Sequence, residues 1–197
     1  MSSEAHHASS ARRPAWLLDA ERLDLAIYAA IARTPTPSLD RAMQQLSRAA
    51  DHSKLSMACA AFLALGGGTA GRRAAATGIA SVAATSAVVN AAVKPLGRRR
   101  RPDRLAGAVP VARHVRMPIS RSFPSGHAAA AFAFATGVGH VSPGAAVPLR
   151  ALAALVGYSR VHTGVHYPGD VLAGALIGTT LAQITAHAGD RLRAHAG

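Results

Sequence analysis

The chain has 197 residues, half of them hydrophobic and only 16% charged, against a usual ~25%. Its formal charge of +13 points to an anionic partner: nucleic acid, anionic lipid or a phosphorylated substrate. The single cysteine, Cys59, excludes an intramolecular disulfide and a cysteine-based metal cluster, and reads as a small packed apolar residue.

Residues 1–15 are Ser/Ala/His-rich and read as a disordered tail, with no apolar stretch of signal-peptide type following promptly. The segment 16–33, WLLDAERLDLAIYAAIAR, mixes Asp19, Glu21, Arg22 and Asp24 with apolar residues at helical spacing. It predicts an amphipathic helix lying on an interface or on a bundle. TPTPSLD breaks it, and 38–54 predicts a second amphipathic helix with a Ser or Asp cap. Residues 16–54 are thus expected to form interfacial helices with no role beyond packing or anchoring.

The character then changes. Residues 55–71 carry no charge, and neither does the 20-residue run 74–93, long enough for the ~30 Å of a bilayer core. Apolar stretches follow at 127–141, 145–159 (interrupted by Arg150) and 171–189. Their small residues suit close helix contact in lipid. The pattern predicts an all-α integral-membrane bundle of about five transmembrane helices over 55–190, with turns at 71–73 and 142–144. The alternative is a soluble alanine-rich bundle. The basic residues before 55 outnumber those on the opposite face. Positive-inside counting therefore puts the N-terminus and the 94–126 segment in the cytoplasm.

Nine of the 22 basic residues (Lys94, Arg98, Arg99, Arg100, Arg101, Arg104, Arg113, Arg116 and Arg121) fall between 94 and 121, opposed there only by Asp103. Three short stretches accompany them. Lys94 is followed after six residues by Arg101-Pro102. Pro124-Ser125-Gly126-His127 opens an alanine run. Ser159-Arg160 is followed after five residues by His166, and after three more by Asp170. Lys94, Arg101 and Arg160, brought together, make a site for a tetrahedral oxyanion. Ser125 and Gly126 stand at a helix N-terminus, whose free N–H groups and dipole favour an anion. His127 and His166 can divide nucleophilic and acid roles, and Asp170 can fix the His166 tautomer. Each stretch also has a plainer reading: Pro-Ser-Gly as a turn and cap, the arginines as a polybasic loop, His166 and Asp170 as a structural hydrogen bond. His162, His166 and Asp170 recur every four residues, a spacing that suggests metal ligands. Pro168-Gly169 argues against one continuous helix through them.

In this order the stretches resemble the type 2 phosphatidic acid phosphatase superfamily, which also holds bacterial acid phosphatases and vanadium haloperoxidases. Its signature KxxxxxxRP, PSGH, SRxxxxxHxxxD is matched at every fixed position over 94–170. The resemblance implies hydrolysis of phosphomonoesters or diphosphates without a metal or cofactor. It implies that His166 attacks phosphorus to form a phosphohistidine, that His127 protonates the leaving oxygen and that Asp170 orients His166. Lys94, Arg101, Ser125, Gly126 and Arg160 would hold the phosphoryl oxygens. His162 occupies a variable position and is expected to pack or to play a peripheral part. Arg98 to Arg100 are left to the membrane surface. The expected protein is a lipid phosphate phosphatase of a bacterial-type plasma membrane. Its partners would be membrane lipids and a phosphatidate-like or polyprenyl-linked substrate, with no nucleic acid. The alternatives are a vanadate-dependent haloperoxidase-like oxidase and a non-enzymatic basic protein that binds anionic lipid.

Overall fold

A computed structural model describes residues 14–196, and over these the chain is helical with no strand. The disordered tail read over 1–15 lies almost wholly outside the described residues. Helix α1 spans Ala15–Arg33 and α2 spans Pro37–Ala49, which starts on Pro37 at its first helical position, where a missing N–H costs nothing. A short 3-10 turn, Asp51–Ser53, leads into α3, Lys54–Gly66.

The break into α4 (Gly68–Val88) falls at Gly67 and Gly68, not at 71–73. Gly68 has φ +57°, a left-handed conformation open to glycine at no steric cost. Arg72 and Arg73 suggested the turn, but they lie in the first turns of α4 and are exposed. α4 widens into a π-helical stretch, Val89–Val93, and ends in a single α turn, α5, Lys94–Leu96. Pro95 cannot donate to the carbonyl one turn back and would crowd it, and the wider π turn relieves that conflict. A long loop follows, then α6 (Gly126–Val141), α7 (Pro143–His162) and α8 (Pro168–Ala196).

α6 is the central helix, packed on α4, α7 and α8, while α3 lies against α4. Its core with α3 and α4 gathers Ala60, Ala74, Ala75, Val82, Ala130, Phe134 and Val138. Alanine and glycine let the helices come very close. A Cβ on Gly174 would lie 2.4 Å from the Ser125 carbonyl oxygen, and one on Gly178 would lie 2.1 Å from that of Ala129. Those are backbone atoms and cannot swing aside. Gly178→Val is therefore expected to cost about 1–3 kcal/mol by overpacking and to push α8 off the start of α6. Thermal unfolding in detergent measures this, and an unchanged midpoint would contradict the close approach.

The surface is apolar where a protein in water would be polar. Trp16, Phe62, Leu65, Leu172, Leu176 and Leu192 are each at least 65% exposed, whereas Asp24, Asp40, Arg113 and Arg160 are buried. That distribution fits a hydrocarbon surrounding. Two helical stretches, Gly68–Leu96 and Pro168–His195, are long and apolar enough to cross a membrane. α3, with 13 residues, is about 20 Å long and falls short of the ~30 Å core. Two of the five expected spans thus stand out by length and apolarity.

Candidate functional site

α3, α4–α5, α6, α7 and α8 run alternately up and down. Lys94, the start of α6, the end of α7 and the start of α8 therefore meet at one end of the bundle. Lys94 ends the π-widened helix beside Gly126: a Cβ on Gly126 would stand 3.4 Å from the Lys94 Nζ. Ser125 is the N-cap of α6; its Oγ accepts from the Ala128 N–H at 3.4 Å, and its own N–H donates to the Asp170 carbonyl at 2.9 Å. The N–H groups of Gly126 and His127 are left without an intrahelical acceptor, as at any helix start. The corner is thus tied to α8 while its donors stay free.

His166 sits in the loop between α7 and α8 and is 2% exposed. Its Nδ1 lies 3.5 Å from Asp170 Oδ2, and its Nε2 lies 3.1 Å from the Arg101 guanidinium. A guanidinium only donates, so Nε2 presents its lone pair and Nδ1 carries the hydrogen toward the carboxylate. Burial drives the ring's pKa down to about 4; the Asp170 hydrogen bond pulls it up, and the charges of Arg101 and Arg160 push it further down. The ring is then neutral at pH ~6, where an ordinary histidine (pKa ~6.5) is largely charged. Nitrogen NMR of the imidazoles is expected to show His166 neutral and Nδ1-protonated there. Since the unfolded ring binds its proton near 6.5, this residue's effect on stability is adverse as pH falls from ~6.5 toward 4.

Asp170 is fully buried and, besides facing that ring, accepts three hydrogen bonds: from Ser122 Oγ and the Tyr167 N–H (3.0 Å) on Oδ2, and from Arg99 (3.2 Å) on Oδ1. Arg99 also pairs with Asp24 of α1 and lies 4.1 Å over the Tyr167 ring. Asp24 in turn accepts from the Gly169 N–H at 2.7 Å. Arg160, 1% exposed, donates to Ser47 Oγ at 2.6 Å and to the Ser47 carbonyl at 3.2 Å. Its Nε is buried with no partner among the described residues, a donor left for an anion.

His127 takes a different partner. Its Nε2 lies 2.9 Å from Asp51 Oδ1, and the same oxygen is 3.8 Å from Arg160. Asp51 precedes two non-glycine residues in left-handed conformations, His52 at φ +55° and Ser53 at φ +56°. Strain of this kind gathers at functional sites.

The structure therefore draws together Lys94, Arg101, Ser125, Gly126, His127, Arg160, His166 and Asp170. Sequence reasoning missed Asp51, Ser122, Ser47, Arg99 and Asp24. The run Asp51-His52-Ser53 consists of turn-forming residues, a signal that the helix read over 38–54 breaks there. Arg98 and Arg100 are exposed, but Arg99 belongs to the site and not to the membrane surface. His162 is buried, its Nε2 2.9 Å from Asp40, so it turns away from His166 and Asp170.

Cations and helix-mouth donors thus surround a carboxylate-backed imidazole at one end of the helical bundle. The PAP2 superfamily model matches residues 75–194, and the chain belongs to that superfamily. Among solved structures it is similar to Aquifex aeolicus LpxE, at TM-score 0.67 and 29% identity over 83% of this chain and 94% of that one. It is also similar to the transmembrane PAP2 type phosphatidylglycerolphosphate phosphatase of Bacillus subtilis, at TM-score 0.67 and 25% identity over 88% and 87%. A decaprenylphosphoryl-5-phosphoribose phosphatase of Mycobacterium tuberculosis is 42% identical over 96 residues, 47% of this chain and 49% of that protein. A lipid A 1-phosphatase of Rhizobium johnstonii is 40% identical over 65 residues, 33% of this chain and 27% of that protein. The matched stretch thus covers half or less of these two relatives.

Proposed function

We propose that the protein is a membrane lipid phosphate phosphatase that works without a metal, through a phosphohistidine at His166. The observation that carries this is the His166 ring: neutral, its Nδ1 toward buried Asp170, its Nε2 lone pair toward Arg101. On substrate binding, Arg101, Lys94, Arg160 and the Gly126 and His127 N–H groups take the phosphoryl oxygens. Nε2 attacks phosphorus, the bond from phosphorus to the alcohol oxygen breaks, and His127 gives that oxygen a proton. Asp170 stabilises the positive charge that His166 acquires. Water then attacks phosphorus, His127 takes its proton, and phosphate leaves with His166 restored. Positioning and charge stabilisation supply most of the rate in such transfers.

Asp51 is a positioning residue for His127. Asp51→Asn is expected to lower kcat by at least about 10-fold, the low end of what partners orienting a metal-bound imidazole are worth, with KM changed less than about twofold. Equal kcat in steady-state phosphate release would contradict the assignment.

The apolar surface and the lipid phosphates named for the relatives support a lipid phosphate, with a polyprenyl-linked lipid preferred over phosphatidate. The five antiparallel helices from α3 to α8 form the embedded bundle over 55–190, with α1 and α2 at the interface and the site on the cytoplasmic face. Release of phosphate from a panel of phosphatidate, isoprenyl phosphate and isoprenyl diphosphate, with and without chelator, tests the reading. Turnover insensitive to chelator is expected. No turnover on any of them, or halide oxidation on adding vanadate instead, would overturn it.

A further inference from the structure

The end of the bundle away from His166 holds a second gathering of charge. Arg73 of α4, His140 of α6 and Arg193 of α8 meet there on one carboxylate, that of Asp190. Arg73 donates to Asp190 Oδ1 at 3.2 Å, and Arg193 donates to the same oxygen at 2.7 Å. His140 Nε2 faces Oδ2 at 2.6 Å, and its ring stands edge to face with that of His187, the centroids 5.0 Å apart. Two fixed positive charges thus share one negative charge, and each guanidinium spends on it one of its five N–H donors. Arg72 and Arg191 are exposed alongside. Asp190 is the one acidic residue in 66–75, 137–147 and 183–196. Arg193 complements the C-terminal end of α8, but Arg73 stands near the N-terminal end of α4, where a helix favours anions.

Between α4 and α8 the two arginines border a cavity of about 220 Å³. Ala76 and Ala80 wall it on α4, and Ala186 and Gly189 wall it on α8. The helices run antiparallel, so the alanines lie deeper along the bundle and the arginines form the rim. Gly189 leaves room for the rim: a Cβ there would stand 3.4 Å from Arg193 Nη2. The side chains of Arg73 and Arg193 are 55% and 49% exposed, which leaves their unspent N–H groups within reach of a ligand. These are also the two helices long and apolar enough to cross a membrane. A basic pocket between such helices suits a phospholipid headgroup. A guanidinium fork matches the oxygens of a phosphate.

We propose that this pocket binds a phospholipid of net negative charge, its phosphate across Arg73 and Arg193 and the start of its chains against the alanines. The occupant is a bound lipid and not a substrate: it lies at the opposite end of α8 from His166. Asp190 holds the two guanidiniums side by side before the lipid arrives, which lowers the cost of ordering them. Free phosphate offers the same oxygens but nothing for the apolar slot. The proposal uses no residue of the phosphate site and stands apart from the phosphatase reading.

The test is native mass spectrometry of the full chain, released from detergent with equal amounts of palmitoyl-oleoyl phosphatidylglycerol and palmitoyl-oleoyl phosphatidylcholine. The two probes share a phosphate and both chains and differ in head charge. Phosphatidylglycerol is expected to be retained at least about fivefold over phosphatidylcholine, the factor that a basic residue at a membrane surface is worth. Arg73→Gln and Arg193→Gln are each expected to cut that preference at least about threefold. Arg100→Gln, exposed at the other end, is expected to leave it unchanged, and so is an excess of inorganic phosphate. Equal retention of the two lipids, or the same loss in Arg100→Gln as in the other variants, overturns the proposal. Displacement by inorganic phosphate overturns the lipid assignment and marks a site for soluble anions. A second reading needs no variant: phosphatidylglycerol is expected to raise the thermal midpoint more than phosphatidylcholine does, and equal midpoints contradict the site.

Discussion

His166→Ala is expected to abolish turnover, by roughly 10³-fold or more, while leaving the fold intact. The size follows from the proposed mechanism: without the imidazole no phosphohistidine can form. The fold survives because Asp170 keeps its other partners. Ser122, the Tyr167 N–H and Arg99 still satisfy both carboxylate oxygens. Phosphate release, read beside the thermal midpoint, separates the two effects. Retained turnover would move the nucleophile elsewhere.

The second large effect is on stability. Asp40→Ala is expected to cost about 3–5 kcal/mol, the range for stripping one partner from a buried ion pair. Arg113 has a side chain that is 0% exposed, and its Nε donates to Asp40 Oδ1 at 2.8 Å. The remaining partners of Arg113 are the carbonyls of Ile31, Ala32 and Thr34 and the Thr36 hydroxyl, none of them charged. His162 loses its partner at the same time. Burial raises the Asp40 pKa, but hydrogen bonds from Thr36 and His162 and the Arg113 charge outweigh it and hold the carboxyl below its usual range. A carboxyl lowered on folding contributes stability above its unfolded pKa of ~3.8, and that stability is lost as pH falls below it. For a chain of this size the mutant midpoint should fall by about 10 °C. A fall under about 2 °C would show that α2 is only loosely attached.

Much of the site was legible because its residues come as short fixed spacings, and spacing survives without coordinates. Lys94 to Arg101, Ser125 to His127, and Arg160 to Asp170 converge at one end of the bundle. The helices were legible from charge-free runs, although Arg72 and Arg73 drew the α3–α4 turn away from Gly67 and Gly68. Asp24 and Asp40 were not legible as inward residues. Amphipathic reasoning sends apolar side chains inward and charges outward, and at a membrane surface that rule reverses. α1 exposes Trp16, Leu23 and Leu25 while Asp24 reaches Arg99 and Gly169. The N-terminal helices therefore brace the site rather than merely anchor the chain. Asp51 was hidden for another reason: its pairing with His127 spans 76 residues, and nothing local announces it.

The central claim is that phosphorus passes through His166. Rapid quench of the full chain into alkali during turnover of a lipid phosphate, followed by peptide mass spectrometry, tests it most directly. The expected result is one phosphoryl group on His166, stable in alkali and lost in acid, and absent from His166→Ala. Turnover with no phosphorylated peptide, or with the phosphoryl group on another residue, would contradict it.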